Sequence, residues 1–91
     1  MIRSCRDKDT RQLVDGEESR RFRSIEKSAR IRLEILDAAT SLADLGLPGL
    51  RLESLKGDRK GQFSIRINDQ FRICFEWRNG DAYNVEIIDY H

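Results

Sequence analysis

Between Gln62 and Trp77 apolar and polar side chains alternate through two runs, broken once by Asn68-Asp69. A period of two marks a half-buried strand and does not suit a helix. Phe63, Ile65 and Ile67 share one face of the first run, and Phe71, Ile73, Phe75 and Trp77 one face of the second. Asn68-Asp69 makes a tight turn. Arg78-Asn79-Gly80-Asp81 supplies another, because Asn-Gly accepts the positive φ of a hairpin. Tyr83 to Ile88 then reads as a third strand, with Val85 and Ile87 inward and Glu86, Ile88 and Tyr90 outward. The chain therefore closes with an antiparallel meander.

Upstream the period changes. Met1 to Cys5 suits a short first strand. Asp7 or Asp9 can cap a first helix through Gln12, Leu13 and Val14, which Gly16 ends. From Phe22 to Leu45 apolar residues recur every three or four positions: Phe22, Ile25, Ala29, Leu33 and Leu36, and likewise Ile35, Ala38 or Ala39 and Leu42. Ser24 is a candidate cap, Gly46 closes the helix, and Pro48 confirms the stop. Arg23, Lys27, Arg30 and Glu34 lie opposite the apolar stripe. Helices first and a meander last define an α+β class, with two N-terminal helices packed on a small, mainly antiparallel sheet. No repeat or composition break divides residues 1–91, so a single domain is expected.

At 91 residues the chain buries about 60–65% of its unfolded surface. That allows one core but no deep enclosed pocket, so an active site should be an open groove for a large substrate. The net charge of +1 excludes nothing. Its distribution is uneven, +3 over residues 1–60 and −2 over residues 61–91, and a basic half permits a polyanionic partner. No signal segment opens the chain and no run can span a bilayer, which points to the cytoplasm and no membrane partner. Cys5 and Cys74 alternate with polar neighbours and read as reduced packing residues. Their spacing suits no zinc site, so no metal and no cofactor is expected.

Residues 46–61 form a different kind of segment. They hold four glycines, the sole proline and five charges between Glu53 and Lys60. Leu50, Leu52 and Leu55 can pin this connection to the core, leaving the rest to face a ligand. Strand parity puts Arg66 and Arg72 on the sheet face opposite the core. Lys56, Arg59 and Lys60 approach from the connection, and Tyr90 shares the arginine face if the last strand keeps register. Asp89 and His91, the chain's one histidine, then stand at its rim. Such an open face suits RNA. Guanidinium groups grip phosphates and stabilise charge on phosphorus, while an imidazole or carboxylate moves protons.

Five segments in order carry a resemblance: Leu55-Lys56-Gly57-Asp58-Arg59, Ser64-Ile65, Phe71-Arg72-Ile73-Cys74-Phe75, Gly80-Asp81-Ala82-Tyr83 and Asp89-Tyr90-His91. Together they closely resemble the HigB-type toxins of the RelE/ParE superfamily of toxin–antitoxin modules. The resemblance spans essentially the whole chain. It implies a HigB-like toxin domain and ribosome-dependent cleavage of messenger RNA. It also implies neutralisation by a helix-turn-helix antitoxin of the HigA type, with operator DNA met only through the antitoxin complex. The family's functional positions fall on Lys56, Arg72, Asp89, Tyr90 and His91. By analogy Lys56 and Arg72 hold phosphate, Asp89 or His91 moves protons, and Tyr90 orients RNA. Arg59, Lys60 and Arg66 extend the RNA-binding surface. Some family members carry a histidine where this chain has Glu53, a residue that can act as a base but repels phosphate.

Two other readings share the fold. One is a non-enzymatic toxin of the ParE kind that inhibits DNA gyrase. The other is a weakened toxin acting mainly through antitoxin binding. The terminal Asp-Tyr-His, with Lys56 and Arg72, favours the nuclease.

Overall fold

The computed structural model describes residues 1–90 of the chain. The expectations for His91 lie outside the described residues. Four strands form one antiparallel sheet among the described residues, in the order β1 (Glu53–Ser54), β2 (Gln62–Arg66), β3 (Phe71–Arg78) and β4 (Asp81–Asp89). Two helices, α1 (Lys8–Val14) and α2 (Glu26–Ala38), precede it. The expected α+β architecture is thus present.

The alternation sets the sheet as expected. Ile65, Ile73, Phe75, Val85 and Ile87 are buried on one face against Leu13, Phe22, Ala29, Leu33 and Leu36 of the helical layer. Phe22 meets Phe71 edge to face, ring centres 6.2 Å apart. Asn79 and Gly80 both take positive φ in the β3–β4 turn, as the Asn-Gly pair requires. At the β2–β3 turn the Asn68 carboxamide oxygen accepts from the N–H groups of Gln70 and Phe71. One irregularity was not legible. The ladder shifts between Cys74 and Glu76, opposite Asn84, which is left-handed at φ 51°. This bulge lets both Tyr83 and Asn84 lie off the core while Ala82 and Val85 stay buried.

The helical layer departs from the periodicity in three places. The expected helix over 22–45 is three pieces: a 3-10 turn (Arg23–Ile25), α2, and a 3-10 turn (Leu42–Leu45). The break follows from Thr40 and Ser41. Their N–H groups donate to the Asp44 carboxylate, and Ser41 and Asp44 form a capping box that starts a new turn. Gly46 therefore closes that turn, not the long helix. Ser24 is not the cap of α2, whose N-cap position is Ile25 and which has no side-chain cap. Asp7 does cap α1, accepting from the Thr10 N–H at 3.0 Å.

Met1 to Cys5 does not form a full strand. It runs beside β4 through parallel bridges, Ile2 to Ala82 and Cys5 to Val85. The Arg3 N–H donates to Ala82 and the Arg6 N–H to Val85, covering an edge that would otherwise be open. Conversely, the 46–61 connection supplies a strand that its composition hid, because Glu53-Ser54 pairs with Phe63-Ser64. Leu50 and Leu55 are buried and Leu52 packs against the core, so this connection is pinned as expected.

Candidate functional site: the polar face of the sheet

The face turned away from the helices is a lattice of polar pairs. Ladder register lines up Glu53, Ser64, Cys74 and Glu86 across all four strands. The next row holds Arg66, Arg72 and Ile88. Ser64 and Cys74 are buried although they point away from the core. Being small, they leave room for two guanidinium groups to lie over the sheet.

Arg72 was expected on an open face. It is instead only 7% exposed. Its Nε donates to Ser64 Oγ at 2.9 Å and its Nη2 to the Arg51 carbonyl at 2.7 Å. Nη1 stands 3.9 Å from the Glu53 carboxylate. The 46–61 connection folds over the sheet and closes the face at this point, which strand parity could not reveal. A buried charge needs such partners, because leaving it unpaired costs several kcal/mol, on the order of 3–5. The arrangement fixes the guanidinium before any ligand arrives. Above it lies the Tyr90 ring, 5.6 Å from Arg72 Cζ, and Tyr90 itself is 52% exposed. A held cation beneath an accessible aromatic ring suits a nucleotide, with phosphate to one and base to the other.

The Arg51 backbone is part of the device. Arg51 is left-handed, with φ 45° and ψ 56°, which costs a non-glycine residue about 1–2 kcal/mol. That conformation goes with its carbonyl facing Arg72. Sequence reasoning missed Arg51 entirely, since a backbone carbonyl leaves no trace in residue type. Ser64 left a weak trace, as a small polar residue at a central position of a strand.

The remaining predicted residues separate. Arg59 lies over Cys74, where its Nη1 donates to Glu86 Oε1 at 2.6 Å and to Gln62 Oε1 at 3.1 Å. The bond to Glu86 holds the Arg59 guanidinium more firmly charged than usual. Burial pushes the Cys74 thiol up, with Arg59 opposing, so Cys74 is an unreactive floor. Lys56 and Lys60 flank a short 3-10 turn (Gly57–Arg59) and are exposed. Arg66 neighbours Arg72 across the ladder but pairs with Asp69 of its own turn. Asp89 closes β4 opposite Phe71 and accepts from Gln70 Nε2 at 3.1 Å. It therefore has the opposite parity from Ile88 and Tyr90.

Two hollows lie apart from Arg72 and Tyr90, the second of them at the Gln62 and Glu76 end of the polar face. One of about 230 Å³ lies between α1 and α2 beside Leu13, Val14 and Leu33, and one of about 370 Å³ lies beside Gln62, Trp77 and Arg78. The polar face is open surface, as the small size of the chain suggested. Among the described residues no cluster of His, Cys, Asp or Glu is placed to hold a metal ion. No helix among them is long and apolar enough to cross a membrane.

Comparison with known proteins bears on the same elements. Toxin HigB-1 of Vibrio cholerae serotype O1 (strain ATCC 39315 / El Tor Inaba N16961) is 50% identical over 62 residues, covering 67% of this chain and 65% of that protein. Endoribonuclease HigB of Proteus vulgaris is 43% identical over 60 residues, covering 66% of this chain and 65% of that protein. The match thus spans just under two-thirds of each relative. A family model described as the RelE-like toxin HigB of type II toxin–antitoxin systems matches residues 3–91. That match runs through every strand and connection that builds the polar face, and the chain belongs to the HigB-like toxin family.

Proposed function

We propose that this protein is the toxin of a type II toxin–antitoxin pair and cleaves messenger RNA on the ribosome. Its partners on this reading are a HigA-type helix-turn-helix antitoxin, the ribosome and mRNA, and it works in the cytoplasm. The observation that carries the reading is the immobilised Arg72 guanidinium beneath the exposed Tyr90 ring. One relative of this chain is named an endoribonuclease, which fits the same chemistry.

In this mechanism Arg72 neutralises the scissile phosphate and the charge that develops on it. Nε and Nη2 are engaged by Ser64 and the Arg51 carbonyl, which leaves Nη1 to meet phosphate. The Glu53 carboxylate, 54% exposed, is placed to accept the proton of an attacking 2′-hydroxyl. Lys56 adds a second cation. Tyr90 stacks on a base, and His91 or Asp89 supplies the proton for the leaving oxygen. An open face has little means to order a flexible RNA, and ordering supplies much of the rate. The ribosome does that positioning.

The test is cleavage mapping on translating ribosomes with purified protein. Cuts should appear in translated message and not in the same RNA free in solution. Tyr90→Ala should reduce cutting at least about tenfold and shift stability by no more than about 0.5 kcal/mol, since the residue is exposed. Intact message together with inhibited gyrase supercoiling would replace the nuclease with the ParE-like reading. Efficient codon-selective cutting of free RNA would remove the ribosome from the mechanism.

A further inference from the structure

Arg59 and Glu86 are the inference that the polar face carries furthest. Sequence alone put Arg59 among the RNA-binding cations. Its guanidinium is already engaged, bridging Gln62 on β2 and Glu86 on β4 across the width of β3. Glu86 comes from the far side of the sheet, 27 residues away in the chain, and its side chain is only 15% exposed. Arg6, at 3.8 Å, adds a second positive charge beside the same carboxylate.

The turn that carries Lys56 is held at both ends. Before it, Leu55 is buried and its N–H donates to the Gln62 carbonyl at 2.9 Å. After it, the Arg59 N–H donates to the Lys56 carbonyl at 3.3 Å and the Lys60 N–H to the Gly57 carbonyl at 3.1 Å. Gly57 at φ 65° makes the reversal between them. Between these anchors the Lys56 side chain is exposed, and among the described residues no hydrogen bond or ion pair steers it. Its placement depends on the backbone beneath it, and that backbone is tied to the sheet through the Arg59 side chain.

We propose that the Arg59–Glu86 pair is a strut that sets the position of Lys56, so that both are positioning residues and Arg59 is not a phosphate ligand. The role of Lys56 in this inference rests on the nuclease reading above. The strut itself does not.

The test combines amide hydrogen exchange of the free toxin with cleavage on translating ribosomes. Arg59→Ala and Glu86→Ala should each speed exchange at the Arg59 and Lys60 amides about tenfold or more, while helix amides keep their protection. Each should lower message cleavage about 10–100-fold, the scale of a misplaced group near the chemistry. The double variant should be no worse than either single one. In a Lys56→Ala background, Arg59→Ala should add no further loss. Glu86→Gln replaces Glu86→Ala if the latter chain unfolds. A phosphate-binding Arg59 behaves differently: Glu86→Ala would free it, and cutting would stay at or above the wild-type level. That result, unchanged loop exchange, or additive losses in the Lys56→Ala background would overturn the strut. A wild-type protein that cuts nothing on ribosomes defeats the nuclease reading alone, because the exchange measurement still decides the strut.

Discussion

The helical layer and the polar sheet face are both rich in charge, and they use it differently. Along the helices, ion pairs form between residues one turn apart. Arg11 with Asp15 and Arg30 with Glu26 are four residues apart, and each pair follows from helix geometry. On the sheet face the partners come from distant segments. Arg59 of the 46–61 connection meets Glu86 of β4, and Arg72 meets Glu53 and the Arg51 carbonyl. Local pairs decorate an element that would form without them. Distant pairs between partly buried groups fix where segments lie. A count of charges along the chain cannot tell the two apart, since burial and the origin of the partner decide which kind a residue belongs to.

The sharpest way to break that contrast is Arg72→Ala. It leaves Ser64 Oγ and the Arg51 carbonyl without their donor in a closed site, and should cost about 2–4 kcal/mol in denaturant unfolding. Cleavage should be lost as well. Arg72→Lys, which keeps charge but not the fork, should recover part of the stability and little of the activity. If Arg72→Ala unfolds like wild type, the buried hydrogen bonds are not what holds the connection over the sheet.

Asp7 gives an intermediate case. Its carboxylate caps α1 and also accepts from Thr10 Oγ1 at 2.8 Å, while that hydroxyl accepts from the Ile87 N–H at 3.1 Å. A helix cap is local, but here it continues into β4. Asp7→Ala should destabilise by about 1 kcal/mol, the usual worth of a cap, with excess loss measuring the link to the sheet.

The smallest mutational effect should come from Glu26→Gln, which removes the partly exposed α2 pair with Arg30. About 0.3–0.5 kcal/mol is expected, fading at high salt. A cost as large as that of Arg72→Ala would erase the distinction between the two regions.

Acid provides a further comparison. The N–H groups of Thr40 and Ser41, with the Thr40 hydroxyl, hold the Asp44 carboxyl below its usual range. Arg3 and then the Met1 amino group do the same for Asp81. A carboxyl with a lowered native pKa stabilises the fold above its unfolded pKa. That stability is lost as pH falls through the native value, so stability should decline below about pH 4. Asp44→Asn and Asp81→Asn should each flatten that decline in acid unfolding curves. Asp44 is exposed and Asp81 partly exposed, so the effect should be modest and salt-sensitive, more so at Asp44.

Much of this molecule was legible from residue order. Apolar alternation is a local property, so the strands over 62–88, their inward faces and the Asn79-Gly80 turn could be read directly. The caps and breaks of the helical layer were half legible. Asp7 behaved as a cap, but Thr40 and Ser41 looked like helix surface until their N–H groups were seen to prefer Asp44. The residues of the polar face could be nominated by type and parity. Their states could not. Whether an arginine is a free phosphate ligand or a fixed structural cation depends on which distant segment covers it. Arg66 and Arg72 face each other in the same ladder, yet one closes its own turn while the other is held by Ser64 and the Arg51 carbonyl. Backbone alternation determines which way a side chain points, and the sequence carries that. Long-range packing determines what it meets there, and only the folded chain brings Arg51, Ser64 and Tyr90 to one guanidinium.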